Sequence, residues 1–113
     1  FSNEMGVEID KKKAKHYFEL AAMMGDVQAR HNLGALEGNA GNVQRALKHM
    51  IIAARAGNPP SLDNVKQGFT NGFVTKEEYA STLRAYHEHQ TEMKSKARDA
   101  AVKARRAAAA ERS

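Results

Sequence analysis

At 113 residues the chain is one domain's worth or less, and a chain of this size buries only about two thirds of the surface its unfolded form exposes, so its stability margin is narrow. It has no cysteine, which excludes a disulfide framework and a cysteine-based zinc or redox site, and no run of about eighteen apolar residues that would span a membrane. The net charge of +5 does not describe a basic domain: residues 1–93 hold 11 Lys/Arg against 11 Asp/Glu, and residues 94–113 hold 7 against 2.

Aromatic residues make up 6% of the chain and tryptophan is absent, while alanine and methionine supply much of the apolar content. That balance suits thin, closely packed helices better than a sheet. The opening "FSNEMGVEID", residues 1–10, has no helical period of its own and reads as the end of a preceding unit followed by a loop. Slid against itself by 32 residues, the chain then aligns Ala14 with Ala46, Ala21 and Ala22 with Ala53 and Ala54, Gly25 with Gly57, and Asn32 with Asn64. Two helical pairs follow from this: 11–24 with 27–37 in a first unit over 11–42, and 43–56 with 61–69 in a degenerate second unit over 43–74. The joints Gly25-Asp26, "GNAGN", "GNPP" and "TNG" are turn chemistry, since Gly and Asn tolerate left-handed backbone and Pro cannot continue a helix. Small residues let helices approach closely, so Ala14, Ala21, Ala46 and Ala53 mark the expected crossings. Tyr17, Phe18, Leu33, Leu36, Met50, Ile52, Leu62 and Val65 are expected to fill the flanks.

Residues 75–113 differ in texture. Thr75 and Glu78 form a capping box, in which hydroxyl and carboxylate each satisfy an otherwise unpaired backbone N–H, so a helix should start at Lys76. No Gly or Pro interrupts residues 76–112. Tyr79, Leu83, Tyr86, Gln90, Met93, Ala97, Ala100, Ala104 and Ala107 form a heptad seam, bulky in its first half and bare alanine in its second. The first half is expected to dock on the preceding unit and the second to project.

The pattern "KKAKHYFELAAMMGDVQARHNLG" resembles the Sel-one-like repeat, a helix-turn-helix module related to tetratricopeptides. Ala14, Tyr17-Phe18, Ala21-Ala22, Gly25, Ala29 and Leu33-Gly34 fall in the family's order and spacing, and the likeness covers roughly residues 5–74. "GVEID" resembles the loop that leads from one repeat into the next. The second copy departs from the pattern, with Val65-Lys66 in place of Leu-Gly. The ending "LRAYHEHQTEMKSKARD" is similar to a subset common in algal proteomes, in which the repeats follow a RING-like zinc-binding module. Together these imply an all-α fold, an α-solenoid of helix-turn-helix repeats capped by a long C-terminal helix, as the C-terminal part of a longer array. They also imply a protein-interaction scaffold with no enzymatic activity and no cofactor, a ligase role belonging to the upstream module.

In such solenoids the first helix of each pair lines the inner surface, which makes Lys12, His16, Glu19, Met23, Gln44, Lys48, Ile51 and Arg55 the candidate partner-binding positions. Ile51 has two readings: an apolar contact point on a polar stripe, or core against the next helix. The basic tail, Lys94, Lys96, Arg98, Lys103, Arg105 and Arg106, is the alternative, a surface for nucleic-acid phosphates. It has no aromatics to stack bases, and Glu92–Lys96 and Asp99–Lys103 are spaced as i, i+4 ion pairs. His87 and His89 lie about 200° apart on a helix and cannot chelate one ion. The serines lack a nucleophile motif, and no glycine loop cradles a phosphate, so a small-molecule substrate is not expected.

Overall fold

The computed structural model describes residues 2–112, apart from the side chains of residues 2–5 and 7–9. Among the described residues there are five helices and no strand: α1 (Ser2–Met23), α2 (Val27–Asn39), α3 (Val43–Arg55), α4 (Pro59–Thr70) and α5 (Lys76–Arg112). The chain is all-α. Each of the first four helices packs on the next in order, and α5 lies against both α3 and α4. The molecule measures 70 × 40 × 18 Å, and its least dimension is about two helices thick.

Helix starts follow local chemistry. Asp26 accepts from Ala29 N at 3.0 Å and Asn58 from Ser61 N at 2.9 Å, each satisfying a backbone N–H that has no partner inside its helix. Thr75 Oγ1 accepts from Glu78 N and Glu78 Oε1 accepts from Thr75 N, so the capping box opens α5 as its spacing predicts. The first helix differs from expectation. It begins at Ser2 and not near residue 11, so the "GVEID" stretch read as a loop is helical. No proline interrupts residues 2–23, and the lone Gly6 lowers helix propensity by only about 1 kcal/mol, less than a helix break needs.

Small residues occupy the crossings. Ala53 and Ala54 are fully buried on α3, with Ala22 on α1 and Ala29 on α2 nearly so. Two apolar clusters result. Ala22, Ala29 and Leu33, with Phe18 and Ala21, join α1 to α2. Leu47, Met50, Ala54, Val65 and Val74, with Ile51, Leu62 and Tyr79, join α3, α4 and α5. Two flank assignments are corrected: Tyr17 is 66% exposed and Ile52 is 50% exposed. Ile52 lies about 120–180° round α3 from the groove-facing residues Val43, Ala46 and Met50, and half of its surface stays in water.

The docking face of α5 is displaced slightly from its heptad seam. Tyr79 stacks on Phe69 at 4.9 Å between ring centres, Thr82 is buried, and Gln90 Nε2 donates to Gly57 O at 3.3 Å. His89, off the seam, presses its ring on Gly57. From Thr91 to Arg112 every residue is exposed.

Gly57 therefore serves twice. Its φ is +98°, which disfavours any L side chain, and a Cβ there would collide with the His89 ring, 2.7 Å from Cε1. Gly41 has φ +85° but open space around it. Gly41→Ala is expected to cost about 1 kcal/mol through backbone strain alone, and Gly57→Ala distinctly more. Thermal or urea unfolding checks this. His89→Ala in the Gly57→Ala background should recover part of the difference, and equal losses for the two glycines would overturn the contact.

Candidate functional sites: a polar belt, a neutral groove and a projecting basic helix

Of the eight sequence-predicted partner positions, seven are exposed: Lys12, His16, Glu19 and Met23 on α1, and Gln44, Lys48 and Arg55 on α3. Ile51 is half-buried against the α3–α4–α5 cluster, so its apolar side chain is used within the fold. Arg55 donates to Ser81 Oγ on α5 at 2.8 Å. Met23 lies beside three further exposed apolar residues of the α1 edge, Tyr17, Leu20 and Met24.

What the structure brings together around these positions is a polar belt across α1, α2 and α3. Glu37 is 6% exposed, receives Lys15 Nζ at 3.1 Å and accepts from Asn42 Nδ2 at 2.8 Å. The Asn42 hydrogen bond, then the Lys15 contact, hold its carboxyl below the usual carboxylate range against the opposing effect of burial. Arg30 Nη1 lies 3.5 Å from His49 Nδ1, and Arg30 Nη2 donates to Ala22 O at 3.4 Å. Arginine only donates, so Nδ1 accepts and the ring is neutral. Burial first, and the Arg30 charge second, push the His49 imidazole below its ordinary range.

A second pairing escaped sequence reasoning because its members lie 30 residues apart: His31 Nδ1 and Ser61 Oγ meet at 2.7 Å. Ser61 Oγ donates its hydrogen to Asn58 Oδ1 at 2.9 Å, so it accepts from His31. His31 is thus no base for that hydroxyl, and Ser61 is fully buried. The arrangement ties α2 to the start of α4.

A groove of about 470 Å³ runs over α3 between α2 and α4. Its floor is Ala46, Leu47 and Met50, and Gly34, Gly38 and Gly68 hold its walls close to α3. No charged side chain lines it; Asn39, Asn64, Gln67 and Asn71 supply its polar atoms. Asn64 Nδ2 reaches only Met50 Sδ, at 3.5 Å, and the amides of Asn39, Gln67 and Asn71 make no hydrogen bond among the described residues. The groove lies about 120° round α3 from the predicted Gln44, Lys48 and Arg55 stripe. A signal for it existed in the 64, 67, 71 spacing of amides along one face of α4.

The basic tail positions, Lys94, Lys96, Arg98, Lys103, Arg105 and Arg106, are exposed on the part of α5 that projects. Glu92 and Lys96 pair at 3.0 Å, whereas Asp99 and Lys103, spaced for the same pairing, form no ion pair. Arg105 Nε reaches back to Ala101 O at 3.4 Å. No helix among the described residues is long and apolar enough to cross a membrane. No family model, curated protein or solved structure matches the chain.

The belt predicts two acid-sensitive steps. His49, with its folded-state pKa depressed, contributes stability that is present above the unfolded value of about 6.5 and lost as pH falls through the folded value. Glu37, also depressed, contributes stability lost only below the ordinary glutamate value of about 4.3. The melting temperature should therefore fall in two stages on acidification. His49→Gln, which keeps an acceptor for Arg30, should flatten the upper stage. Glu37→Gln should lower stability at neutral pH by about 1–2 kcal/mol and flatten the lower one.

Proposed function

We propose that the chain is a protein-interaction scaffold of the Sel-one-like type, with α1–α2 and α3–α4 as stacked helix-turn-helix repeats, α5 as the cap of a solenoid, and no catalysis of its own. The observation that carries this reading is the neutral groove over α3. Each carboxamide offers both a donor and an acceptor, the complement of a peptide unit, and three of the four are not engaged by the chain itself. An apolar floor with a few convergent polar groups is the general form of a binding cleft. The exposed apolar residues Tyr17 and Leu20 on α1, which lie about 60° apart round the helix, offer a further contact face. Under this reading the exposed predicted positions on α1 and α3 belong to the inner surface of the same array.

The test compares partners captured by the intact chain, by an Asn39→Asp/Gln67→Glu/Asn71→Asp variant that charges the groove, and by a chain ending at Met93. Capture lost in the first variant and retained in the second is the expected result. Capture that survives the charged groove but disappears on truncation would transfer the binding function to the tail.

A further inference from the structure

The groove, the polar belt and the α1 edge leave one prominent feature of the molecule unexplained, the fully exposed stretch of α5 from Thr91 to Arg112. At 1.5 Å per residue it is about 33 Å long. Its charges are arranged by face. At about 100° per residue, Lys94, Arg98, Arg105 and Arg112 fall within about 40° of one another. Lys96 and Lys103 fall together about 180° away, and the arc between these two rows is alanine: Ala97, Ala100, Ala101, Ala104, Ala107 and Ala108. Glu111, the one acid on the arc, lies in the final turn, while Glu92 and Asp99 lie on the opposite side, where Glu92 pairs with Lys96. Lys94, Arg98 and Lys103 make no hydrogen bond or ion pair among the described residues.

We propose that residues 94–112 form a seat for double-helical DNA, the slim alanine arc entering the major groove and the two rows of cations meeting phosphates on its opposite walls. The major groove is about 12 Å wide and admits one α-helix, which suits a helix with neither bulky side chains on one arc nor a neighbouring helix beside it. Alanine buries little apolar area, so the partner must bind through charge, and duplex DNA presents one phosphate per about 1.7 Å of its axis. Arginine predominates in the longer row and is the residue suited to paired hydrogen bonds with phosphate oxygens. A second copy of the chain is disfavoured as occupant: pairing through this arc would bring two segments together that each hold 7 Lys/Arg against 2 acids. A membrane surface is disfavoured because the arc carries no large apolar group to insert. The seat is remote from the groove over α3 and does not depend on it.

The experiment titrates a fluorescein-labelled duplex DNA of about 20 base pairs and mixed sequence with the full chain, following anisotropy across a salt series. Six facing cations predict a log–log salt slope of about −5, an affinity loss of about a thousandfold between 50 and 200 mM salt. Lys94→Gln/Arg98→Gln/Arg105→Gln should reduce the slope by about 3, and Lys11→Gln/Lys13→Gln on α1 should leave it unchanged. Glutamine is a good helix former, so far-ultraviolet circular dichroism should show the variants folded. A DNA-binding loss in the groove-charging variant Asn39→Asp/Gln67→Glu/Asn71→Asp would overturn the independence of the two sites. A salt slope near zero, or tail and α1 variants that behave alike, would overturn the seat. Equal or tighter binding of duplex RNA, whose major groove is too narrow for a helix, would overturn it too, as would equal binding of phosphatidylserine vesicles or polyglutamate.

Discussion

Every principal interhelical contact except that between α1 and α2 and that between α4 and α5 requires close approach to α3. This helix touches α2, α4 and α5, and it does so with fully buried Ala53 and Ala54 and with glycines on its neighbours. A Cβ on Gly34 would sit 2.8 Å from Met50 Cε, and one on Gly68 would sit 2.7 Å from Leu47 Cδ2. The chain has only small apolar clusters to spend on stability, and dispersion contacts form only where backbones come near enough for short side chains to touch. The same close approach shapes the groove, whose walls hold Gly34, Gly38 and Gly68 against α3 beside the amides of Asn39, Asn64, Gln67 and Asn71.

Hydrogen bonds between helices supply what those clusters lack. Lys15 and Asn42 meet on Glu37, Arg30 reaches both α1 and α3, the His31–Ser61–Asn58 chain joins α2 to α4, and Gln90 holds the α3–α4 turn. All of these polar groups except Lys15 and Asn42 are partly or wholly withdrawn from water, so losing one partner leaves a buried group unsatisfied and costs more than a surface bond would. The arrangement makes the alignment of successive helices specific, since a sliding helix would break several such links together. It also explains why two titratable groups far from any catalytic chemistry carry displaced pKa values.

The chain separates its surfaces by electrostatic character. The groove over α3 is neutral and rich in amides, the belt pairs Lys15 with Glu37, and the chain's net excess of positive charge lies in the stretch of α5 beyond the fold. A neutral cleft selects partners through hydrogen bonding and fit, and a cationic helix selects through field and salt-sensitive ion release.

The all-α class, the turns, the helix caps and the bulky-to-bare change along α5 are legible in the sequence, because each rests on residues within a turn or two of one another. Gly25, Gly41, Gly57 and Gly72 do take positive φ where turns were read, and Thr75 with Glu78 does open α5. The helical character of residues 2–10 was not legible, since a segment without periodicity becomes helical when nothing in it stops the helix that follows. Nor was the groove: Asn39 and Asn71 are 32 residues apart, and only the stacking of α2 and α4 on α3 puts them on one cleft. Tertiary structure also decided that Ile51 packs inward while Ile52 stays in water, and that His31 meets Ser61. Local patterns carry the periodicity of a helix, but which side of it is covered depends on neighbours that the chain brings up from elsewhere.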